Sequence, residues 1–353
     1  MHTQSKFRLL VVRLGAMGDI LHALPAVTAL RLAHPGWVID WVVEPRWRAL
    51  LATESSSGRS PAQPLVEHLH LAPTKEWRIA PLSRKTAGEI RALRSALRAG
   101  AYDAVLDLQG AVRSAVLGRL AGCRRLIGED EPRERIARRL FTERVATRGA
   151  HVIEQDVELA SAVAGDELSP AKPWLPVDAA AEAWAEEFLA PSAGYPSVLI
   201  NPGAGWGAKR WPVERYAAVA QMLIGRGFRV LVNAGPGEEP LAEAIAKGTG
   251  GAATPLTGSL EQLIALTRRI TLVIAGDTGP LHLACALERP VVGIYGPTDP
   301  SRNGPFGTRF RVLRSQESRR DHTRRVEPEA GLLTIEPEEV VRAADELLAE
   351  ETA

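Results

Sequence analysis

The sequence has few of the features on which secreted and membrane-spanning proteins depend. Its two cysteines, Cys123 and Cys285, form neither a CxxC pair nor a disulfide framework. No run of about 18 apolar residues occurs, so no segment is expected to cross a bilayer. The first residues show no apolar signal segment followed by a cleavage site. These absences together favour a protein of the reducing cytoplasm.

Neither sign of charge is in excess. The chain has 43 Lys and Arg residues against 42 Asp and Glu, which leaves a formal net charge of +1. Dedicated nucleic-acid-binding domains usually carry a strong basic excess. We therefore expect no nucleic-acid partner.

Several cofactor and metal motifs are missing. The nearest approach to a G-x-G-x-x-G dinucleotide fingerprint, Gly203-Ala-Gly205-Trp-Gly207, has the wrong final spacing. The sequence has no G-x-x-x-x-G-K-[ST] phosphate loop, no H-E-x-x-H and no Asp-x-Asp pair, and its eight histidines lack zinc-site spacing. We therefore expect no bound NAD, no resident metal and no other cofactor.

Short apolar runs alternate with segments of helical period, which predicts an α/β protein with parallel, doubly wound sheets. The length of 353 residues suggests two domains. Three prolines between residues 166 and 177 indicate a linker. We expect one Rossmann-like domain over residues 1–170, a second over 171–335, and a final helix over 336–353 that packs back on the domains.

The individual elements can be predicted as well. The predicted strands are residues 9–12, 38–43, 68–71, 103–108 and 125–127 in the first half, and 198–201, 229–233, 253–256, 272–275 and 291–295 in the second. The predicted helices are residues 20–34, 86–99, 111–121, 212–226, 238–247, 260–268, 279–287 and 336–350. Pro25 is expected to kink the first helix.

The first predicted strand ends in a glycine-containing turn, Gly15-Ala-Met17-Gly18-Asp19, that leads into a helix. Glycines permit close backbone approach, and a helix start offers unpaired N–H groups to an anionic or polar ligand. Asp19 lies where its carboxylate would project from the carboxyl edge of the sheet, at which open α/β folds bind ligands. An N-terminal cap is the alternative interpretation of Asp19.

The second half contains two further strand-to-helix turns. Residues 201–212 form a glycine-rich loop that ends in Lys209 and Arg210, which suits phosphate, although a solvated loop is the alternative. The next turn carries Asp277, Thr278 and, one turn into the helix, His282. These residues either cap and pack the helix or receive a diphosphate at its start.

Basic residues are clustered locally despite the neutral total. Lys75, Arg78, Arg84 and Lys85 form one group, and residues 133–148 form a second, arginine-rich stretch. Such runs are usually solvated helix faces. They could instead bind an anionic acceptor or an anionic membrane surface.

These motifs resemble, in order and over both halves, those of the heptosyltransferases of glycosyltransferase family nine. The matching segments are Met17-Gly-Asp-Ile-Leu-His22, Trp41-Val-Val-Glu44, Tyr102-Asp-Ala-Val-Leu-Asp-Leu-Gln-Gly110, Lys209-Arg-Trp-Pro212, Asp277-Thr-Gly279 with His282, and Tyr295-Gly-Pro-Thr-Asp-Pro300. The Trp-Val-Val-Glu and Asp-Leu-Gln-Gly segments look most like the heptosyltransferase I branch of that family.

The resemblance implies a GT-B fold, in which two Rossmann-like domains face a central cleft. The N-terminal domain would bind the acceptor, a Kdo sugar of lipid A, and the C-terminal domain would bind ADP-heptose. The reaction would be inverting, independent of metal, and located in the cytoplasm at the inner face of the cytoplasmic membrane. Peripheral contact with that membrane is expected.

The resemblance also implies roles for individual residues. Asp19 would be the general base, in a substrate-binding turn with Met17 and Gly18. Lys209 would stabilise the departing ADP, for which Thr278 and Gly279 would hold the diphosphate. The remaining implied contacts are Asp277 with heptose hydroxyls, His282 near the nucleotide sugar, Glu238 with the adenosine ribose, and Arg133 and Arg135 with the acceptor.

Two alternatives remain open at this point. One is a GT-B transferase with another nucleotide sugar or another acceptor, such as a heptosyltransferase II-like enzyme. The other is a catalytically silent relative that binds a nucleotide sugar.

Overall fold

The computed structural model describes residues 6–54, 58–192, 194–321 and 325–352. The chain divides into two compact units, Met1–Asp178 and Ala179–Ala353. The boundary thus follows Asp178, whereas the proline-rich linker suggested a boundary after residue 170. The C-terminal helix falls within the second unit.

The first unit is built on a six-stranded parallel sheet. Its strands are β1 (Arg8–Val12), β2 (Val38–Val43), β3 (Leu69–Leu71), β4 (Ala104–Asp107), β5 (Leu126–Glu129) and β6 (Glu143–Val145), and its α-helices are α1 (Met17–Ala33), α2 (Thr74–Ile79), α3 (Arg84–Ala99), α4 (Val112–Leu120) and α5 (Val152–Ala164). The strand order is β3-β2-β1-β4-β5-β6, which is the order of a classical dinucleotide-binding fold.

The second unit repeats this architecture. Its strands are β7 (Ser197–Asn201), β8 (Arg229–Asn233), β9 (Thr254–Leu256), β10 (Leu272–Gly276), β11 (Val291–Tyr295) and β12 (Phe310–Arg314), and its α-helices are α6 (Ala179–Leu189), α7 (Val213–Gly225), α8 (Glu239–Gly248), α9 (Leu260–Thr267), α10 (Gly279–Ala286), α11 (Pro300–Asn303) and α12 (Pro337–Thr352). The strand order is β12-β11-β10-β7-β8-β9, the same topology as in the first unit.

The central strands are mostly apolar because helices cover both faces of each sheet. Leu9, Leu10, Val11 and Val12 of β1 are fully buried, and so are the apolar residues of β10 from Leu272 to Ala275. This composition explains why the central strands were recognisable from sequence.

All ten predicted strands are confirmed to within two residues, and so are the predicted helices apart from the start of α1. The helix α1 begins at Met17, three residues before the expected start, and continues through Pro25. The peripheral elements α2, β6, α5, α6, α11 and β12 were not predicted.

The strand order reverses direction beside the first strand of each sheet. The turns after β1 and β4 therefore lie next to each other at the carboxyl edge of the first sheet, and the turns after β7 and β10 lie next to each other in the second. Open α/β sheets bind their ligands at such a switch point.

Candidate active site

Asp19 lies in the first turn of α1, three residues after the N-cap residue Ala16. Its Oδ2 atom accepts a hydrogen bond of 3.0 Å from the Ala16 backbone N–H. Its side chain keeps 30% of its exposure. Asp19 therefore contributes to the helix cap and still presents a carboxylate to solvent. Met17 and Gly18 are the first two residues of the same turn.

Arg13 is the neighbour of Asp19 that sequence analysis did not assign. It follows β1 directly and is nearly buried, with 6% exposure. Its Nε atom donates to the backbone carbonyl of Asp19 at 3.1 Å, and its Nη2 atom lies 3.5 Å from Oδ1 of Asp19. A charged residue at the end of an apolar strand was the only sequence signal for this role. Arg13 fixes the position of Asp19 and partly neutralises its charge.

The turns after β2 and β4 lie against this helix start. Oε1 of Gln109 accepts a hydrogen bond of 3.1 Å from the Leu14 N–H, and the Glu44 N–H donates to the Leu14 carbonyl at 3.2 Å. Gly15 has a φ of +149°, and a Cβ atom there would lie 2.6 Å from Nε1 of Trp47. The Trp-Val-Val-Glu and Asp-Leu-Gln-Gly segments therefore shape the turn that carries Asp19.

Two buried carboxyl groups, Asp107 and Asp156, lie within electrostatic range of Arg13. Burial raises the pKa of Asp107 to about 6, although the hydrogen bonds that its Oδ1 atom accepts lower the pKa in part. Burial raises the pKa of Asp156 to about 7; Arg13 opposes this shift, and Asp19 and Glu129 add to it. The Oδ2 atoms of both aspartates have no hydrogen-bond partner among the described residues.

The two arginines that were expected to bind an acceptor occupy different positions. The backbone of Arg133 lies against Gly110, in the turn after β4. Arg135 lines a cavity of about 640 Å³ together with Asp130, Glu131, Pro132, Arg138, Arg139 and Arg144. Asp130 pairs with Arg138 at 2.8 Å. Four guanidinium groups around one cavity can bind an anion by paired hydrogen bonds.

In the second unit, Lys209 and Asp277 form a nearly buried ion pair. Nζ of Lys209 contacts Oδ2 of Asp277 and lies 4.3 Å from the centre of the Trp206 ring. Oδ1 of Asp277 accepts a hydrogen bond of 3.2 Å from Nε2 of His282. Although burial opposes ionisation, His282 and Lys209 hold the pKa of Asp277 well below its ordinary value. Three of the predicted site residues thus form one cluster.

Thr278 and Gly279 lie where α10 begins. Thr278 is the N-cap residue and Gly279 the first helical residue. The Thr278 hydroxyl donates to the Gly276 carbonyl at 3.2 Å, and Nδ2 of Asn201 lies 3.5 Å from the same hydroxyl. The first N–H groups of a helix have no partner within it, so this turn can receive an anion beside Lys209.

Glu238 follows β8 and lies against the turn after β7. Its Oε2 atom accepts a hydrogen bond of 3.2 Å from the Gly235 N–H. A Cβ atom on Gly203 would lie 2.0 Å from the same oxygen, so only glycine admits this carboxylate. An acidic residue after the second strand of a Rossmann-like sheet is suited to bind ribose hydroxyls.

The described residues contain no group of three or more His, Cys, Asp or Glu side chains that could hold a metal ion. Over the same part of the chain, no helix combines the length and the apolar character needed to traverse a bilayer.

Comparisons with known proteins match this chain over most of its length. The model of glycosyltransferase family 9 (heptosyltransferase) matches residues 90–332. Lipopolysaccharide heptosyltransferase 1 of Escherichia coli is 33% identical over 318 residues, which cover 87% of this chain and 93% of the relative.

Solved structures from the same organism match the fold. The E. coli heptosyltransferase WaaC with ADP is 28% identical, covers 98% of this chain and 100% of its own, and superposes with a TM-score of 0.78. The WaaC structure with ADP-2-deoxy-2-fluoro heptose gives the same identity and coverage and a TM-score of 0.75. The predicted GT-B fold is confirmed by these matches.

Proposed function

Since this chain belongs to glycosyltransferase family 9, we propose that it transfers heptose from ADP-heptose to a Kdo residue of lipid A in the synthesis of the lipopolysaccharide inner core. One observation carries the proposal. Each unit has suitable chemistry at its topological switch point: a partly exposed carboxylate, Asp19, in the first, and a cation beside a helix start in the second. The first unit would bind the acceptor and the second the donor.

The donor site consists of the turns after β7, β8 and β10. The diphosphate binds the N–H groups at the start of α10 next to Lys209, because both the helix dipole and the ammonium group favour negative charge. Glu238 binds the ribose hydroxyls, as its place after β8 suggests. The solved WaaC structures, one with ADP and one with ADP-2-deoxy-2-fluoro heptose, support this choice of nucleotide.

Asp277 has two roles in this site: it binds the heptose and it holds Lys209. Both its oxygens already contact protein, one Lys209 and the other His282. A carboxylate oxygen can accept more than one hydrogen bond, so the heptose hydroxyls bind the remaining lone pairs. Asp277 and His282 thereby orient the sugar, while Asp277 also holds Lys209 in place.

Transfer inverts the anomeric centre in one displacement. The acceptor hydroxyl oxygen forms a bond to the anomeric carbon while the bond from that carbon to the diphosphate oxygen breaks. The hydroxyl proton moves to Asp19, and ADP leaves with the negative charge that Lys209 and the start of α10 stabilise. An ordinary aspartate is a weak base at neutral pH, so the proton transfers late, after the hydroxyl has become acidic.

The acceptor contributes anionic groups that the arginines of the first unit bind. Arg133 lies at the edge that carries Asp19, beside Gly110. Arg135 lines the cavity of about 640 Å³ described above, which we name the arginine cavity after its four arginines. The cavity walls carry more guanidinium groups than carboxylates, which suits the phosphate and carboxylate groups of a Kdo-bearing lipid A. The similarity to heptosyltransferase 1 supports this acceptor over that of a heptosyltransferase II-like enzyme.

The enzyme acts at the inner face of the cytoplasmic membrane, which it contacts peripherally. Ile79 and Leu82 are 82% and 98% exposed. Lys75, Arg78 and Lys85, all exposed, lie close to them in sequence. Exposed apolar side chains among cations suit an anionic lipid surface, which they can enter while the charges remain at the headgroups.

Donor profiling tests the proposal. The purified chain, with Kdo-bearing lipid A as acceptor, should release ADP from ADP-heptose and add one heptose to the acceptor, as mass spectrometry would show. UDP-sugars should give no release. Release of UDP from a UDP-sugar without turnover of ADP-heptose would overturn the donor assignment, and binding of ADP-heptose without turnover would indicate a silent relative.

A further inference from the structure

The loop that carries Lys209 is held by a segment far away in sequence, residues 325–329, which we name the strap. The Ala208 N–H donates to the carbonyl of Arg325 at 3.1 Å, and the Glu329 N–H donates to the carbonyl of Ala208 at 3.1 Å. Both backbone hydrogen bonds act on the residue directly before Lys209.

Gly207 makes this contact possible. A Cβ atom on Gly207 would lie 1.6 Å from the carbonyl oxygen of Val326 and 2.3 Å from its carbonyl carbon. A flexible side chain could yield to such a contact, but a backbone carbonyl cannot without moving the strap. The glycine therefore serves the close approach of two backbones.

The strap is anchored at its end by the carboxylate of Glu329. Its Oε2 atom accepts hydrogen bonds from the Ser318 hydroxyl at 2.9 Å and from the Leu332 N–H at 3.0 Å. Although burial opposes ionisation, these hydrogen bonds hold the pKa of Glu329 below its ordinary value. Glu329 thus links the end of the strap to Ser318 and to Leu332.

The residues before the strap contact a second turn at the same edge of the sheet. The Asp321 N–H donates to the carbonyl of Pro297 at 3.1 Å, and Arg320 pairs with Asp299 at 2.7 Å. Arg320 and Asp321 thus contact the turn after β11, while the strap contacts the turn after β7.

The strap adds little to the hydrophobic core. Val326 is 83% exposed, and the side chain of Arg325 is 68% exposed. Burial of apolar area supplies most of the free energy of folding, and these residues bury little of it. The contacts of the strap are directed instead at the backbone next to a residue with a proposed function.

We propose that the strap is a positioning element for Lys209, which it holds beside Asp277 and the start of α10 so that the ammonium group meets the donor diphosphate. This inference rests on the proposed function of Lys209. Without the strap, the loop after β7 would lose conformational entropy each time the donor binds, and this loss would lower the affinity for the donor.

Gly207→Ala tests the proposal, because the added methyl group must displace the strap. We expect the affinity for ADP, measured by calorimetry, to fall by about tenfold or more, as for loss of a charge-assisted hydrogen bond. Gly225→Ala is the matched control: no atom lies within 4 Å of a Cβ atom on Gly225, at the end of α7, and its ADP affinity should stay unchanged.

A second measurement separates positioning from general destabilisation. In a Lys209→Met, Asp277→Asn background, which lacks the cation and its counter-charge, Gly207→Ala should cause no further loss of ADP affinity. An equal loss in both backgrounds, or no loss in the parent, would overturn the proposal. If Gly207→Ala does not fold, Glu329→Gln replaces it in the same two backgrounds. Glu329→Gln should lower the ADP affinity of the parent by a smaller factor and should leave the ADP affinity of the double-variant background unchanged. Unchanged ADP affinity in the background itself would instead refute the function of Lys209.

Discussion

Nζ of Lys209 contacts Oδ2 of Asp277 in an ion pair whose side chains are only 10% and 9% exposed. Water screens such a pair weakly, so each charge depends on the other. The same pair also faces the helix start that is suited to a diphosphate. The same two side chains therefore affect both the stability of the fold and the binding of the donor, and mutation can separate the two effects.

Lys209→Met should lower the free energy of unfolding by about 3–5 kcal/mol, because it leaves a buried carboxylate without its cation. Lys209→Met combined with Asp277→Asn should recover most of that loss, since neither charge remains. Both variants should bind ADP more weakly than the parent. Urea unfolding and calorimetry check this, and a double variant that binds ADP normally would contradict the role of Lys209.

Asp156→Asn should change how stability depends on pH. The pKa of Asp156 is raised from 3.8 to about 7 in the folded chain. Its contribution to stability is therefore fully present below pH 4 and is lost as the pH rises through 7, by up to about 4 kcal/mol. The variant lacks this loss, so the free energy of unfolding of the variant should rise relative to that of the parent between pH 5 and pH 8.

Thermal unfolding at several pH values measures this difference. Asp166→Asn is the control, because it removes a carboxyl group from an exposed position of the first unit. It should follow the parent at every pH. A constant offset between Asp156→Asn and the parent would show that Asp156 does not take up a proton on folding.

Arg135→Gln should weaken acceptor binding without affecting the donor. The side chain lines the arginine cavity, and loss of a guanidinium contact to a phosphate costs about 1.5–3 kcal/mol. The KM for the lipid acceptor should therefore rise about tenfold or more, and the KM for ADP-heptose should stay the same. Arg119→Gln, on the exposed side of α4, is the control. Equal acceptor KM values in both variants would remove Arg135 from the acceptor site.

Replacement of Ile79 and Leu82 by serine should weaken membrane association. Cosedimentation with phosphatidylglycerol vesicles checks this, and the bound fraction should fall while binding to neutral vesicles stays low for both proteins. Val116→Ser, which removes a half-exposed apolar side chain elsewhere in the first unit, should bind like the parent. Parent-like binding of the serine variant would place the membrane contact elsewhere.

The central architecture was predictable because its signals are local. Strands such as β1 and β10 are continuous apolar runs, and glycine-containing turns follow them. The turns that carry Asp19, Lys209 and Asp277 all follow the carboxyl ends of central strands, the first in one sheet and the other two in the second sheet. The alternation of strands and helices predicted parallel, doubly wound sheets, but it did not predict the order of the strands within each sheet.

The peripheral elements were missed for different physical reasons. The N-cap residue of α5 is His151, whose Nδ1 atom accepts a hydrogen bond from the Ile153 N–H, whereas Ser, Thr, Asp and Asn are the usual caps. The end of α5 at Gly165, with a φ of +78°, is an ordinary stop signal that sequence analysis did not use. The edge strand β12 carries Arg311 and Arg314, which hide its strand character.

Contacts between distant segments could not be read from the sequence. The partnership of Arg13 with Asp19 requires the fold of the turn after β1, and the raised pKa of Asp156 depends on burial against other elements. The strap reaches Ala208 from more than a hundred residues away. No periodicity or short motif encodes such a contact.

The measurement that tests the central claim most directly is the turnover of Asp19→Asn. The asparagine can still accept the hydrogen bond from the Ala16 N–H, so the helix start should remain intact, but it cannot accept the proton of the acceptor hydroxyl. We predict that kcat falls by about 10²- to 10⁴-fold, while the affinity for ADP stays within about twofold of the parent. An Asp19→Asn enzyme with near-normal kcat would contradict the assignment of Asp19 as the base.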